Sequence, residues 1–145
     1  MKRKFLSIVS FLAAIIVNVC AFVACDLADT SNLQVSVEKS ETTVLIQVES
    51  GATETTTLMD AMELLLEKGE LNYTLSGTMV QAMEGKENAA DWSACWMLYT
   101  TDTEMGNAEW GTYEYGGQTY LSAILGADRL TVLDGANYLW VYLSF

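Results

Sequence analysis

Cysteine is the residue type in this chain that is best placed for chemistry, because the sequence contains three cysteines and no histidine. Without histidine, the usual zinc sets and the Ser-His or Cys-His nucleophile pairs are excluded. Cys25 follows the small residue Ala24 at the end of an uncharged run. A thiol in that position can receive a lipid and become the mature N-terminus. We therefore expect lipidation at Cys25, no catalytic residues and no metal ligands.

The N-terminal segment has the organisation of an export signal. Basic residues 2–4 precede an uncharged stretch from Phe5 to Cys25, whose apolar core ends at Val17. That core falls within the ~7–15 residues of a signal sequence. The tetrapeptide from Phe22 to Cys25 resembles the bacterial lipobox, which predicts a lipoprotein signal peptide over residues 1–25. An uncleaved membrane anchor and a freely secreted protein remain open, because the uncharged run also approaches the ~20 residues of a spanning helix.

The charge balance restricts the partners of the mature chain. The sequence has 7 basic and 19 acidic residues, and removal of basic residues 2–4 leaves 4 against 19, a net charge of −15. Such a surface repels nucleic acid and anionic headgroups, so the lipid is the expected membrane attachment, at the extracytoplasmic face of the cell membrane. After lipidation Cys95 has no disulfide partner, and its apolar surroundings predict a buried thiol.

A short polar tether over residues 26–33 is followed by one domain over residues 34–145. Its opening is predicted to be a β-hairpin, with strands at Gln34 to Glu38 and Val44 to Glu49. Thr57 and Asp60 have the spacing of a capping-box variant at a helix start, and Gly69 is the expected stop. Apolar residues repeat on one face of that helix, at Leu58, Ala61, Met62, Leu65 and Leu66.

The remainder of the chain is predicted to be rich in strands. The candidates are Tyr73 to Leu75, Met79 to Met83 and Ala94 to Tyr99, then two hairpins that turn at Gly116-Gly117 and Asp134-Gly135. The first hairpin joins Thr112 to Tyr115 with Gln118 to Leu121, and the second joins Leu130 to Leu133 with Tyr138 to Tyr142. The element order predicts an α+β, β-grasp-like single domain, with one helix packed on a mixed sheet and an inserted hairpin.

Several segments together resemble the transcobalamin-like C-terminal domain, a bacterial family of unknown function found in lipoproteins and surface proteins. They are LLLEKGEL at the helix end, SACWMLY at residues 93–99, EWGTY at 109–113 and DGANYLW at 134–140. The resemblance implies a β-grasp-like domain that binds a ligand rather than catalysing a reaction. In cobalamin carriers this domain closes over a corrinoid, so a corrinoid or another planar vitamin is the implied ligand. This chain has neither the helical partner domain of those carriers nor a histidine to bind cobalt.

The last predicted strand suggests a binding face independently of that resemblance. Tyr138, Trp140 and Tyr142, called the aromatic row below, alternate with Leu139, Val141 and Leu143. If the aliphatic side chains face the helix, the aromatic row faces outward and offers flat apolar area to a ligand.

Three further aromatic residues complete the candidate ligand-binding set. Trp96 extends the row, and Trp110 and Tyr113 lie in a long connection of the kind that often carries function. In the alternative, the segment from Thr101 to Arg129 folds back and buries the row as a second core. A different class of function also stays open, in which the domain docks a transporter subunit, a cell-wall component or a second copy of itself.

Overall fold

The computed structural model describes residues 29–145, so the proposed signal, Cys25 and residues 26–28 of the tether lie outside it. The described part is a sheet-dominated α+β fold with one helix. Its elements are β1 Gln34–Lys39, β2 Thr43–Ser50, α1 Leu58–Glu67, β3 Tyr73–Ser76, β4 Met79–Met83, β5 Lys86–Glu87, β6 Ala94–Thr100, β7 Gly106–Tyr115, β8 Gln118–Ala123 and β9 Asn137–Ser144. Within residues 29–145, no helix combines the length and the apolar character needed to cross a membrane.

The boundaries of α1 confirm the capping signals. The Thr57 hydroxyl accepts a 3.2 Å hydrogen bond from the Asp60 backbone N–H, while Asp60 accepts one of 2.7 Å from the Thr57 N–H. Gly69 follows the helix with φ 72°, a conformation that glycine adopts without steric cost. Leu66 is 42% exposed, so the apolar face is narrower than predicted. The helix residues buried in the core are Leu58, Ala61, Met62 and Leu65.

The strands form two antiparallel sheets. One has six strands in the order β1-β2-β9-β6-β8-β7, and the other has three in the order β3-β4-β5. Every strand pair in the described part of the chain is antiparallel, so the prediction of a mixed sheet was wrong. A parallel pair needs a crossover connection that returns to the same sheet. Here α1 leads from β2 of the large sheet to β3 of the small one, and no such crossover arises.

Only one of the two late hairpins is present. The turn at Gly116 and Gly117 joins β7 to β8 as predicted, and both glycines have positive φ. Residues 130–133, in contrast, do not pair with β9. The Leu130 carbonyl accepts a hydrogen bond from the Leu58 N–H, and the Val132 N–H donates to the Thr56 carbonyl, at 2.8 and 2.9 Å. This segment therefore fastens the start of α1, and β9 pairs with β2 and β6 instead.

The two faces of β9 are opposite to the prediction. Tyr138 and Trp140 lie in the core beneath α1, and Tyr142 packs against that core. Leu139 and Val141 belong to a second buried cluster, against which Leu143 packs. The prediction of an outward aromatic row was thus wrong, because Tyr138 and Trp140 are buried in the cluster that includes the buried face of α1, and Tyr142 packs against that cluster. Two hydroxyls of the row also find backbone partners on that side, as described below.

The β7–β8 hairpin provides the aromatic residues of the second cluster. It pairs with β6 at only two positions, Tyr99 with Ser122 and Thr100 with Leu121. Tyr120 is buried in that cluster, and the Tyr113 ring lies 5.6 Å from the ring of Tyr99. The alternative in which the segment from Thr101 to Arg129 buries the aromatic row as a second core therefore holds only in part. The hairpin builds the second cluster on the aliphatic side of β9, while Ala127, near the end of the segment, belongs to the first cluster with Tyr138 and Trp140.

Candidate functional site: a tryptophan-lined cleft

A cleft of about 570 Å³ opens between the small sheet, β6 and the segment that follows β8. We call it the tryptophan cleft, because three of its lining residues are tryptophans. Its walls are formed by Thr78, Met79, Val80, Asn88, Trp92, Cys95, Trp96, Met97, Gly126, Ala127, Asp128, Arg129 and Trp140. A cleft of this size, apolar with a few polar groups, has the character of a small-molecule site.

Trp96 and Trp140 form the buried aromatic part of the cleft, each only 6% exposed. The Trp96 indole Nε1–H donates a 2.8 Å hydrogen bond to the Lys86 carbonyl. Its ring also meets the Tyr142 ring edge to face, with centroids 5.4 Å apart. The Trp140 Nε1–H differs, because it is buried and has no acceptor among residues 29–145. The two rings therefore form a rigid apolar wall in which one donor is unused.

Asn88 fixes the wall by joining β4 to β6. Its side-chain amide donates a 2.8 Å hydrogen bond to the Val80 carbonyl and accepts one of 2.9 Å from the Trp96 N–H. Its backbone N–H donates to the Gln81 carbonyl. Because Asn88 is buried, these bonds act in a low dielectric and hold the position of the Trp96 backbone strongly.

Trp92 forms the exposed rim of the cleft in an unusual backbone conformation. Its φ is 62°, a left-handed value that is uncommon for a bulky residue, and its side chain is 50% exposed. The conformation is held by a 3.0 Å hydrogen bond from the Trp92 N–H to the Ala89 carbonyl. The two chain neighbours of Trp92 are also joined to each other. Asp91 accepts hydrogen bonds from the Ser93 hydroxyl and N–H, which lower the pKa of the Asp91 carboxyl group. Strain of this kind accumulates at binding and active sites.

Two charged residues complete the rim. Arg129 is exposed, and it does not take part in the single ion pair found among the described residues, which joins Lys39 to Glu84. The Asp128 carboxylate lies close to Gly126: a Cβ atom at that position would be only 2.9 Å from the Asp128 Oδ1. The cleft therefore offers one cation and one carboxylate beside an apolar wall.

The predicted site residues fall into two groups. The structure brings Trp96 and Trp140 together in the cleft, with Tyr142 next to Trp96. The Tyr142 hydroxyl donates to the Glu87 carbonyl, and the Lys86 ammonium lies 4.4 Å from the centre of its ring. Tyr138 is fully buried and does not line the cleft.

Trp110 and Tyr113 lie apart from this group, on β7. Tyr113 packs against the second buried cluster, on the other face of the large sheet. Trp110 is 64% exposed and precedes Gly111, whose φ is 128°. Neither residue lines the tryptophan cleft, so the predicted ligand-binding set is not a single surface.

Sequence reasoning missed Trp92, Met79 and Arg129 as lining residues. The Asp-Trp-Ser sequence at 91–93 contains a signal for the loop, because aspartate readily accepts hydrogen bonds from the residue two positions later. Arg129 could also have been noticed, since it is the only arginine after the proposed signal. No local signal shows that Met79 approaches these residues, because that contact depends on how the small sheet packs.

Cys95 contributes a protonated thiol to the wall rather than a reactive one. Its Sγ lies 3.7 Å from the Met97 Sδ, and burial raises the pKa of the thiol. Within residues 29–145, no three histidine, cysteine, aspartate or glutamate side chains cluster closely enough to hold a metal ion.

Comparison with known proteins gives no assignment. No protein-family model matches the chain, and neither a curated protein nor a solved structure is significantly similar to it.

Proposed function

We propose that this protein captures a flat ligand in the tryptophan cleft, without catalysing a reaction on it. One observation carries the proposal: a strained and half-exposed Trp92 stands at the rim of a 570 Å³ cleft whose wall contains the buried rings of Trp96 and Trp140. Large aromatic side chains give a flat ligand extensive contact with little loss of side-chain freedom. An exposed tryptophan held at positive φ has a clear use if it covers such a ligand.

A corrinoid or another planar vitamin is the ligand that we propose first. The resemblance to the transcobalamin-like C-terminal domain supports it, as does the flat aromatic wall. A cleft of 570 Å³ suits contact with one face or edge of a large ring system. The β-grasp-like assignment belongs to the same proposal. An opening hairpin and one helix packed on a face of the large sheet support it.

We further propose that capture takes place at the outer face of the cell membrane. The basic residues 2–4, the uncharged run that follows them and Cys25 support a lipid anchor. The first residue of the core, Leu33, is eight positions beyond Cys25, so the lipid would hold the domain close to the bilayer. Mass spectrometry of the native N-terminus tests this part. A lipid-modified Cys25 is expected, and an unmodified cysteine within an intact leader would refute it.

Titration of the full chain in zwitterionic nanodiscs with cobinamide and cobalamin tests the capture proposal, with empty nanodiscs as the reference. We expect saturable binding that Trp92→Ala weakens at least tenfold. Trp110→Ala is the matched control, because Trp110 is also exposed but lies outside the cleft, and it should leave affinity unchanged. Equal loss in both variants would contradict the site. Absence of binding together with strong self-association would favour the docking function instead.

A further inference from the structure

Arg129 is a cation at the tryptophan cleft that no carboxylate of the described chain pairs with. The sequence has 19 acidic residues, yet the one ion pair formed within residues 29–145 is that between Lys39 and Glu84. A guanidinium carries five donors in a planar fork that matches a carboxylate or phosphate group. In so acidic a chain, an arginine at a cleft with its fork unused is available to an anion from outside.

Trp140, which lines the same cleft, carries a second unused donor. Its buried Nε1–H has no acceptor among the described residues, whereas buried polar groups are usually paired. The other buried polar groups of the lining are already satisfied. Asn88 uses both ends of its amide, and the Trp96 indole N–H donates to the Lys86 carbonyl.

The remaining polar groups of the lining do not reverse this excess of donors. The Thr78 hydroxyl can either donate or accept a hydrogen bond, so it favours neither a donor nor an acceptor on the ligand. Asp128 is the acidic residue of the lining, and its carboxylate lies beside Gly126. It does not neutralise Arg129 through an ion pair. The unused polar capacity of the cleft therefore favours a ligand that brings acceptor atoms.

We infer that the captured ligand carries an acidic group, such as a carboxylate or phosphate, attached to its flat apolar body. This inference rests on the proposed capture function and specifies its ligand class. The acidic group pairs with Arg129, while the apolar body lies against Trp92 and Met79. Because the domain as a whole is strongly negative and repels anions, Arg129 supplies the local attraction that such a ligand needs.

Two probes of nearly equal shape test the inference: naphthalene-2-carboxylate and naphthalene-2-carboxamide. Their fused rings are the same, and only the carboxylate is charged at pH 7. Isothermal titration uses the full chain in zwitterionic nanodiscs, and empty nanodiscs correct for partitioning. We expect the carboxylate to bind at least tenfold more tightly than the amide. Arg129→Gln should remove that preference by weakening the carboxylate alone, and Arg129→Lys should restore part of it.

The controls separate failure of this inference from failure of the proposed function. Lys68→Gln removes a positive charge at the C-terminal cap of α1, outside the cleft, and should change neither affinity. Trp92→Ala should weaken both probes. If both probes bind equally and depend on Trp92, the acidic-ligand inference is overturned while the capture function stands. If neither naphthalene probe shows binding that depends on Trp92, the acidic-ligand inference is overturned, and the cobinamide and cobalamin titration alone decides the capture function.

Discussion

The Tyr138 hydroxyl accepts a 3.0 Å hydrogen bond from the backbone N–H of Leu133, five residues earlier in the chain. This bond ties the segment before β9 to a ring that is fully buried beneath α1. The same segment holds the start of α1 through Leu130 and Val132. Tyr138 is therefore a structural residue that connects the helix, the turn at Gly135 and β9.

Stability should fall at alkaline pH because of this buried phenol. Burial raises the pKa of Tyr138 from 10.0 to about 12. Between these values an unfolded chain loses the proton that the folded chain retains, so the free energy of unfolding decreases as the pH rises from about 10 to about 12. Tyr73 acts in the same direction, because burial and the charge of Glu63 also raise its pKa to about 12. Urea unfolding at pH 8, 10 and 11 measures the decline.

Tyr138→Phe is the control for that decline. At pH 7 it should cost about 0.5–1.5 kcal/mol, because the Leu133 N–H loses its acceptor. Between pH 10 and 11 the variant should lose less stability than the wild type, since one of the buried phenols is gone. An equal decline in both proteins would show that Tyr138 does not titrate with unfolding.

Asn88 is expected to be critical for the fold around the cleft. Asn88→Ala leaves the Val80 carbonyl and the Trp96 N–H without their partners in a buried position, which should cost about 2–4 kcal/mol. Asn107→Ala is the matched control. The Asn107 side chain accepts one hydrogen bond, from the exposed Glu109 N–H, and its loss should cost less than about 1 kcal/mol. Chemical denaturation compares the two, and a similar loss in both would contradict this role.

Local signals in the sequence predicted the elements of the fold well. The spacing of Thr57 and Asp60 identified the start of α1, and the glycine pair at 116–117 identified the β7–β8 turn. Both signals depend on residues within three positions of each other in the chain. The Asp134-Gly135 turn had an equally strong signal, but residues 130–133 pair with the start of α1. That competing contact is distant in sequence and was not visible there.

The orientation of β9 could not be predicted, because alternation separates two faces without identifying the one beneath the helix. Both faces turned out to be buried, one by α1 and one together with Tyr99 and Tyr120. The composition of the cleft could not be predicted either, for the same reason. Its lining comes from the β3–β4 turn, β4, the loop before β6, β6 itself, β9 and the segment that follows β8. Aromatic composition indicated Trp96 and Trp140, and only the packing shows that Trp92 and Arg129 join them.

The two buried tryptophans of the cleft should respond differently to replacement by phenylalanine. Trp96 and Trp140 are equally buried, but only the Trp96 indole N–H has a partner. Trp96→Phe leaves the Lys86 carbonyl without its donor, whereas Trp140→Phe removes a donor that is already unpaired. We expect Trp96→Phe to cost about 1 kcal/mol more, as measured by denaturant unfolding. Equal costs would contradict this difference between the two indole N–H groups.

The rim residue Trp92 should show a conflict between stability and binding. At φ 62° a side chain costs about 1 kcal/mol that glycine avoids, so Trp92→Gly should be more stable than Trp92→Ala by about that amount. At Leu66 the order of the glycine and alanine variants should be reversed, because Leu66 is an exposed residue with helical backbone angles in α1. There Leu66→Gly should be less stable than Leu66→Ala by about 1 kcal/mol. Thermal unfolding of the four variants gives both differences.

Binding should not follow that order of stability. Both Trp92 variants lose the ring at the rim, so both should bind cobinamide or naphthalene-2-carboxylate at least tenfold more weakly than the wild type. The more stable Trp92→Gly should recover no affinity over Trp92→Ala. If it binds as well as the wild type, Trp92 is only a turn residue. If Trp92→Gly binds more weakly than the wild type although it is more stable than Trp92→Ala, the tryptophan at positive φ serves the ligand and not the fold.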